Sequence, residues 1–134
     1  MDTRYYNEWV NKLHVPNRYR TALKLVIEFL ETKLDYLEIS ELWLFGSMAR
    51  EEIDYGSDID ILLVTSSENE RDIRIKCCMC ALDDEDGSVW GVPVQITVRR
   101  KSKLWDLEDY FQKTIYPDLL LIGKYTDLSL SRNL

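Results

Sequence analysis

The sequence predicts an α/β (α+β) domain, a mixed sheet of about four strands with helices packed mainly on one face. Three observations lead there. Helix-length stretches carry apolar residues three and four positions apart, short apolar runs of strand length fall between them, and no internal repeat or low-complexity linker interrupts the order. A length of 134 residues fits one domain, 1–134, with an N-terminal helical segment over about 3–34 and a core over about 40–124. A chain of this size buries roughly two thirds of its unfolded surface, enough for a core.

The first helix rests on Tyr5, Tyr6, Trp9, Val10 and Leu13, an aromatic stripe at helical spacing that stops at Pro16. Such a stripe reads as core, with docking of a partner as the alternative. A second helix from about Arg18 to Leu34 puts Ala22, Leu23, Val26, Ile27 and Leu30 on one side, where they would cover the sheet. Leu42 to Phe45 is the first strand and Ile59 to Val64 the second. A helix from about Glu68 to Leu82 follows, its apolar face drawn by Ile75, Cys78, Met79 and Leu82, and the acidic run Asp83-Asp84-Glu85-Asp86-Gly87 breaks it. That run lacks the alternating ligands of a calcium loop and reads as a solvated turn. Val92 to Val98 is the third strand, Arg99-Arg100-Lys101-Ser102-Lys103 opens a helix reaching about Gln112, and Leu119 to Ile122 forms a short last strand closed by Gly123.

Composition excludes several functions. A net charge of −7 argues against long nucleic acid as substrate, because binding it relies on a basic surface that neutralises phosphates. No apolar run approaches the roughly 20 residues of a membrane helix. The segment MDTRYYNEWV lacks the apolar centre of a signal peptide, so a cytoplasmic location is expected. Three cysteines, Cys77, Cys78 and Cys80, crowd into four positions, yet the single histidine is the distant His14, which speaks against structural zinc and for reduced thiols in or beside the core. The basic cluster Arg99, Arg100, Lys101 and Lys103 sits where cations oppose a helix dipole; attraction of a triphosphate or an acidic partner would explain it, as would a solvated surface.

The stretch LFGSMAREEIDYGSDIDILL, residues 44–63, carries the chemistry. An apolar run ends at Gly46, where a residue without Cβ permits a sharp turn and close approach of a ligand, and Ser47 adds a hydroxyl. If Ser47, Met48, Ala49 and Arg50 begin a helical turn, their free N–H groups favour an anionic phosphate. Ten residues separate Ser47 from Asp58, and Asp58 and Asp60 alternate with Ile59 and so point to the same face of a strand. Two carboxylates sharing one spot repel each other unless a cation compensates them, and all-oxygen ligation suits Mg²⁺ or Mn²⁺. Turn and acids together would grip a metal-bound nucleoside triphosphate.

Gly46-Ser47, Ala49-Arg50, Ser57 and Asp58-Ile59-Asp60 at this spacing resemble the signature of the DNA polymerase beta nucleotidyltransferase superfamily, whose minimal nucleotidyltransferases are the members closest in size. The order of elements agrees from about Arg18 to Lys124. The resemblance implies a polymerase-beta-like fold. It also implies Asp58 and Asp60 as catalytic metal ligands for Mg²⁺, contacts from Gly46, Ser47, Arg50 and Ser57 to a nucleotide such as ATP, and a third acid on a later strand. The matching position for that acid is Gln95, and no carboxylate occurs between Val89 and Val98. Glutamine can present a carbonyl to a metal but cannot accept the proton of an attacking hydroxyl. Glu51, where many relatives carry glycine, adds a further negative charge, and one of Glu51, Glu52 or Asp54 could take over the third acid's role. The resemblance implies transfer of a nucleotidyl group to an acceptor hydroxyl. It also allows an antitoxin that partners a HEPN-domain toxin, or a nucleotide-binding module without chemistry. A small-molecule acceptor of the antibiotic-modifying kind fits less well, since those relatives carry an additional domain. Neither the acceptor nor the oligomeric state is written in the residues.

Overall fold

The structure is a computed structural model, and it describes residues 4–54, 56–80, 88–103 and 115–125. Helix α1 spans Arg4–Lys12 and α2 spans Asn17–Glu31, with Pro16 between them as the N-cap of α2. Tyr19, Ala22, Leu23, Val26, Ile27 and Leu30 are the buried stripe of α2, the five apolar positions expected plus a tyrosine. The helix stops at Glu31, earlier than its apolar pattern, and a series of turns leads through Glu38, held in the left-handed region at φ 47°, into strand β1 at Ile39–Phe45. This strand starts three residues before its apolar run, since Ser40 and Glu41 are polar but buried.

Strand β2, Ile59–Thr65, pairs antiparallel with β1, and β4, Val92–Arg100, pairs parallel with β2. Parallel neighbours need a crossover, and helix α4, Glu70–Met79, lies within it. Its N-terminus is capped by Asn69, whose Oδ1 accepts the Asp72 N–H at 3.0 Å. Strand β5, Leu120–Lys124, pairs antiparallel with the other edge of β1. A two-residue strand β3, Ser88–Val89, adds an edge to β4 through a tight turn in which Trp90 and Gly91 both have positive φ, at 54° and 73°. The sheet therefore has five strands, one more than the sequence suggests, in the order β3-β4-β2-β1-β5.

Alternation divides the sheet into two faces. Leu42, Leu44, Ile59, Ile61, Leu63 and Val98 join the buried stripes of α1 and α2 in the main core, while Phe45, Leu62 and Val64 pack with Ile115 in a second cluster. Asp60 alternates with Ile59 and Ile61, so it belongs to the face of Leu62, away from α2.

Two sequence expectations change. Arg99 and Arg100 continue β4 instead of opening a helix, because β2 is long enough to pair with both through Val64 and Thr65; only Lys101–Lys103 turn helically, as a 3₁₀ segment. The expected helix beyond them falls on residues 104–114, outside those described, as does the acidic run of residues 83–87. In α4 the inward side is Ile73, with Cys77 and Cys80 against the core, whereas Ile75, Cys78 and Met79 face solvent. The apolar spacing was shared by two faces, and the parallel strand beside it selected Ile73. The three cysteines are free thiols, and burial first, then Cys80 and Cys78, pushes the Cys77 thiol up to about 12, which leaves it protonated and inert.

Candidate functional site

Gly46 and Asp60 meet where β1 ends and β2 begins. Strand register places Phe45 opposite Asp60, so the next residue along β1 turns over the carboxylate. Gly46 takes φ 78°, a conformation that L-residues avoid, and a β-carbon there would collide with Asp60 Oδ2. Backbone and contact both demand glycine. A single helical turn, α3 over Gly46–Ala49, follows, with the Arg50 N–H bonded to the Gly46 carbonyl at 3.1 Å and the Glu52 N–H to the Ser47 carbonyl at 2.8 Å. The expected helical turn after the Gly-Ser pair is present.

Asp58 lies in the approach to β2 and is half-buried, like Asp60. Burial first, then the charge of Asp58, pushes the Asp60 carboxyl up to about 6 against the opposing pull of Arg50. Burial and a neighbouring carboxylate thus both disfavour the charged form of Asp60. On the other side of Asp60, β4 brings Gln95 into register beside it, exposed and without charge. Among the described residues no three carboxylate, histidine or cysteine groups converge as metal ligands. Asp58 and Asp60 remain a pair, and their hard oxygens suit a divalent cation such as Mg²⁺ or Mn²⁺.

The acids considered for the third role are engaged elsewhere. Glu52 accepts from Arg50 Nε at 3.1 Å, and Asp54 Oδ1 accepts from the Ser57 hydroxyl at 3.0 Å. Glu51 sits in the left-handed region at φ 59° and lines a groove of about 440 Å³ with Trp9, Lys12, Leu13, Leu120 and Leu121.

Ser57 is buried and serves the loop itself. Its hydroxyl also accepts the Asp54 N–H at 3.0 Å, and its carbonyl accepts from the Tyr19 hydroxyl at 2.9 Å, which fastens the loop before Asp58 to α2. Tyr19 was missed by sequence reasoning because a hydrogen bond to a carbonyl 38 positions away leaves no local pattern. Arg50, 42% exposed, donates through Nη1 to Asp118 Oδ2 at 2.8 Å. Asp118, in the 3₁₀ turn Tyr116–Asp118 ahead of β5, carries no local signal in the sequence. The basic cluster does not join this site. Arg99 and Arg100 pair with Val64 and Thr65, at the other end of β2 from Asp60, and face Glu70 at 3.5 Å and Glu68 at 3.7 Å.

This is an α+β domain with a glycine turn closed over an acid pair at one end of a mixed sheet. A comparison with protein families matches residues 23–133 to the nucleotidyltransferase domain, and the chain belongs to that family. A crystal structure of a candidate nucleotidyltransferase from Sulfolobus solfataricus is similar in fold, with a TM-score of 0.50 and 23% identity over 78% of this chain and 81% of that one. No curated protein is significantly similar in sequence.

Proposed function

We propose that the protein binds a nucleoside triphosphate, ATP above all, with Mg²⁺ or Mn²⁺, and transfers its nucleotidyl group to an acceptor hydroxyl. The contact between Gly46 and Asp60 carries this reading, because it brings a ligand-accessible turn and a charge-starved carboxylate into one place. Asp58 and Asp60 would hold the cation. When bound, the cation supplies charge neutralisation for the phosphates and a template for the in-line displacement. Gly46 leaves the backbone open to the triphosphate, Ser47 and Arg50 donate to it, and Ser57 keeps Asp58 in place through its tie to Tyr19. The acceptor oxygen bonds to the α-phosphorus as the bond to the pyrophosphate oxygen breaks, pyrophosphate leaves with that electron pair, and the hydroxyl proton passes to water.

Gln95 favours a second reading. It occupies the position beside Asp60 where a carboxylate would take the hydroxyl proton, and an amide cannot take it. A protein that binds nucleotide without turnover, as the antitoxin of a HEPN-domain toxin or as a nucleotide-dependent interaction module, tolerates glutamine there.

Incubation with α-labelled nucleoside triphosphates and Mg²⁺ or Mn²⁺, with and without a protein encoded beside it, separates the readings. Transfer by the wild type that Asp58→Asn/Asp60→Asn abolishes identifies an enzyme. Metal-dependent binding without transfer, together with transfer by Gln95→Asp, identifies a binding protein that lacks its base. If no nucleotide binds, both readings fail.

A further inference from the structure

Arg50 reaches two carboxylates at once, and they are not alike. Glu52 is two residues away and its side chain is 67% exposed. Asp118 comes from the turn ahead of β5, 68 positions along the chain, its side chain is 22% exposed, and its contact is the shorter, 2.8 Å against 3.1 Å. Both contacts lie at the surface, where ion pairs contribute little to stability, but Asp118 is the partner that ties the guanidinium to a distant part of the chain. A guanidinium has five N–H donors in a rigid fork. Among the described residues two are used, one on Nε and one on Nη1, which leaves three, including both on Nη2. The charge of Arg50 also acts on Asp60, so the guanidinium that Asp118 holds is within electrostatic reach of the acid pair.

We propose that Asp118 is a positioning residue of the triphosphate site, acting through Arg50: it holds the guanidinium so that the unused N–H groups are preset for a phosphate. This rests on the nucleotide site proposed above. It gives β5 a part in that site, although β5 is separated from β2 by β1. Asp118 adds negative charge near an anionic ligand, and its benefit lies in removing the side-chain freedom that Arg50 would otherwise lose on binding.

Affinity for ATP with Mg²⁺, measured by calorimetry, tests it in wild type, Asp118→Asn, Asp118→Ala, Arg50→Ala, Arg50→Ala/Asp118→Asn and Glu52→Gln, each with a thermal melt. Asp118→Asn keeps the side-chain shape, so a folding defect in Asp118→Ala does not spoil the test. Both Asp118 variants should weaken binding about tenfold, and Glu52→Gln by less than about twofold. Asp118→Asn should add nothing once Arg50 is alanine, which a merely structural role would not produce. Wild-type or tighter binding by Asp118→Asn, or a full further loss in the Arg50→Ala background, overturns the proposal. Wild type that binds no ATP, or binding that survives Asp58→Asn/Asp60→Asn, instead overturns the nucleotide site beneath it.

Discussion

Glycine at position 46 serves two needs that no other residue meets together. Its φ of 78° lies where L-residues are strained by about 1–2 kcal/mol, and a methyl group there would also displace the Asp60 carboxylate. Gly46→Ala should therefore cost about 2 kcal/mol or more in urea unfolding and abolish metal-dependent nucleotide binding; a variant that binds normally contradicts the close approach. Glu51 is the converse case. It also has positive φ, yet it is exposed and has a Cβ, so Glu51→Gly should stabilise the protein by about 1 kcal/mol, read as a higher urea midpoint with an unchanged slope. The meeting of Gly46 with Asp60 was legible in the sequence, since a glycine that ends one apolar run and an acid at the start of the next fall within fifteen residues, whereas Asp58 lies ahead of β2 and not on it. Asp118 was not, because an ion pair formed 68 positions away leaves no local pattern.

Helices and strands were read well where one periodicity governed them. The stripe of α2 is buried as its spacing requires, and β2 matches its apolar run to within a residue at its end. The readings failed where two patterns coexist. In α4, Ile75 and Met79 have helical spacing but are 51% and 76% exposed, while Ile73 is fully buried. Ile73→Ala should destabilise by about 2–4 kcal/mol, whereas Ile75→Gln or Met79→Gln should stay within about 0.5 kcal/mol of wild type; equal costs at all three would mean that α4 packs on its other side. At the end of β4, Arg99 and Arg100 were expected to open a helix in spite of their charges, but pairing of main-chain groups with β2 keeps them in the strand. Ser40 and Glu41 concealed the start of β1 for a related reason, since strand pairing tolerates polar residues that hydropathy excludes.

Across the whole molecule, the acid site sets the pH dependence of stability. Asp60 has a higher pKa in the fold, about 6, than the 3.8 of its unconstrained carboxyl, so the folded state holds its proton more tightly. Its contribution is present in full below about pH 4 and is lost as pH rises through 6; two units correspond to about 3 kcal/mol, and partial exposure reduces that to about 1–2. Melts in EDTA should show wild type losing stability between pH 4 and 7 relative to Asp60→Asn, and Mg²⁺ should restore more at pH 7.5 than at pH 5. A flat difference between the two proteins over that range would contradict the burial of the charge. The sheet order has a consequence in time. Strand β1 lies inside the sheet, but its two neighbours are β2, close behind it in sequence, and β5, near residue 120. While the chain is being synthesised, one hydrogen-bonding edge of an apolar strand stays open until β5, which begins 75 positions beyond Phe45, has emerged, and that interval is when a nascent molecule is most prone to pair with the strand of another.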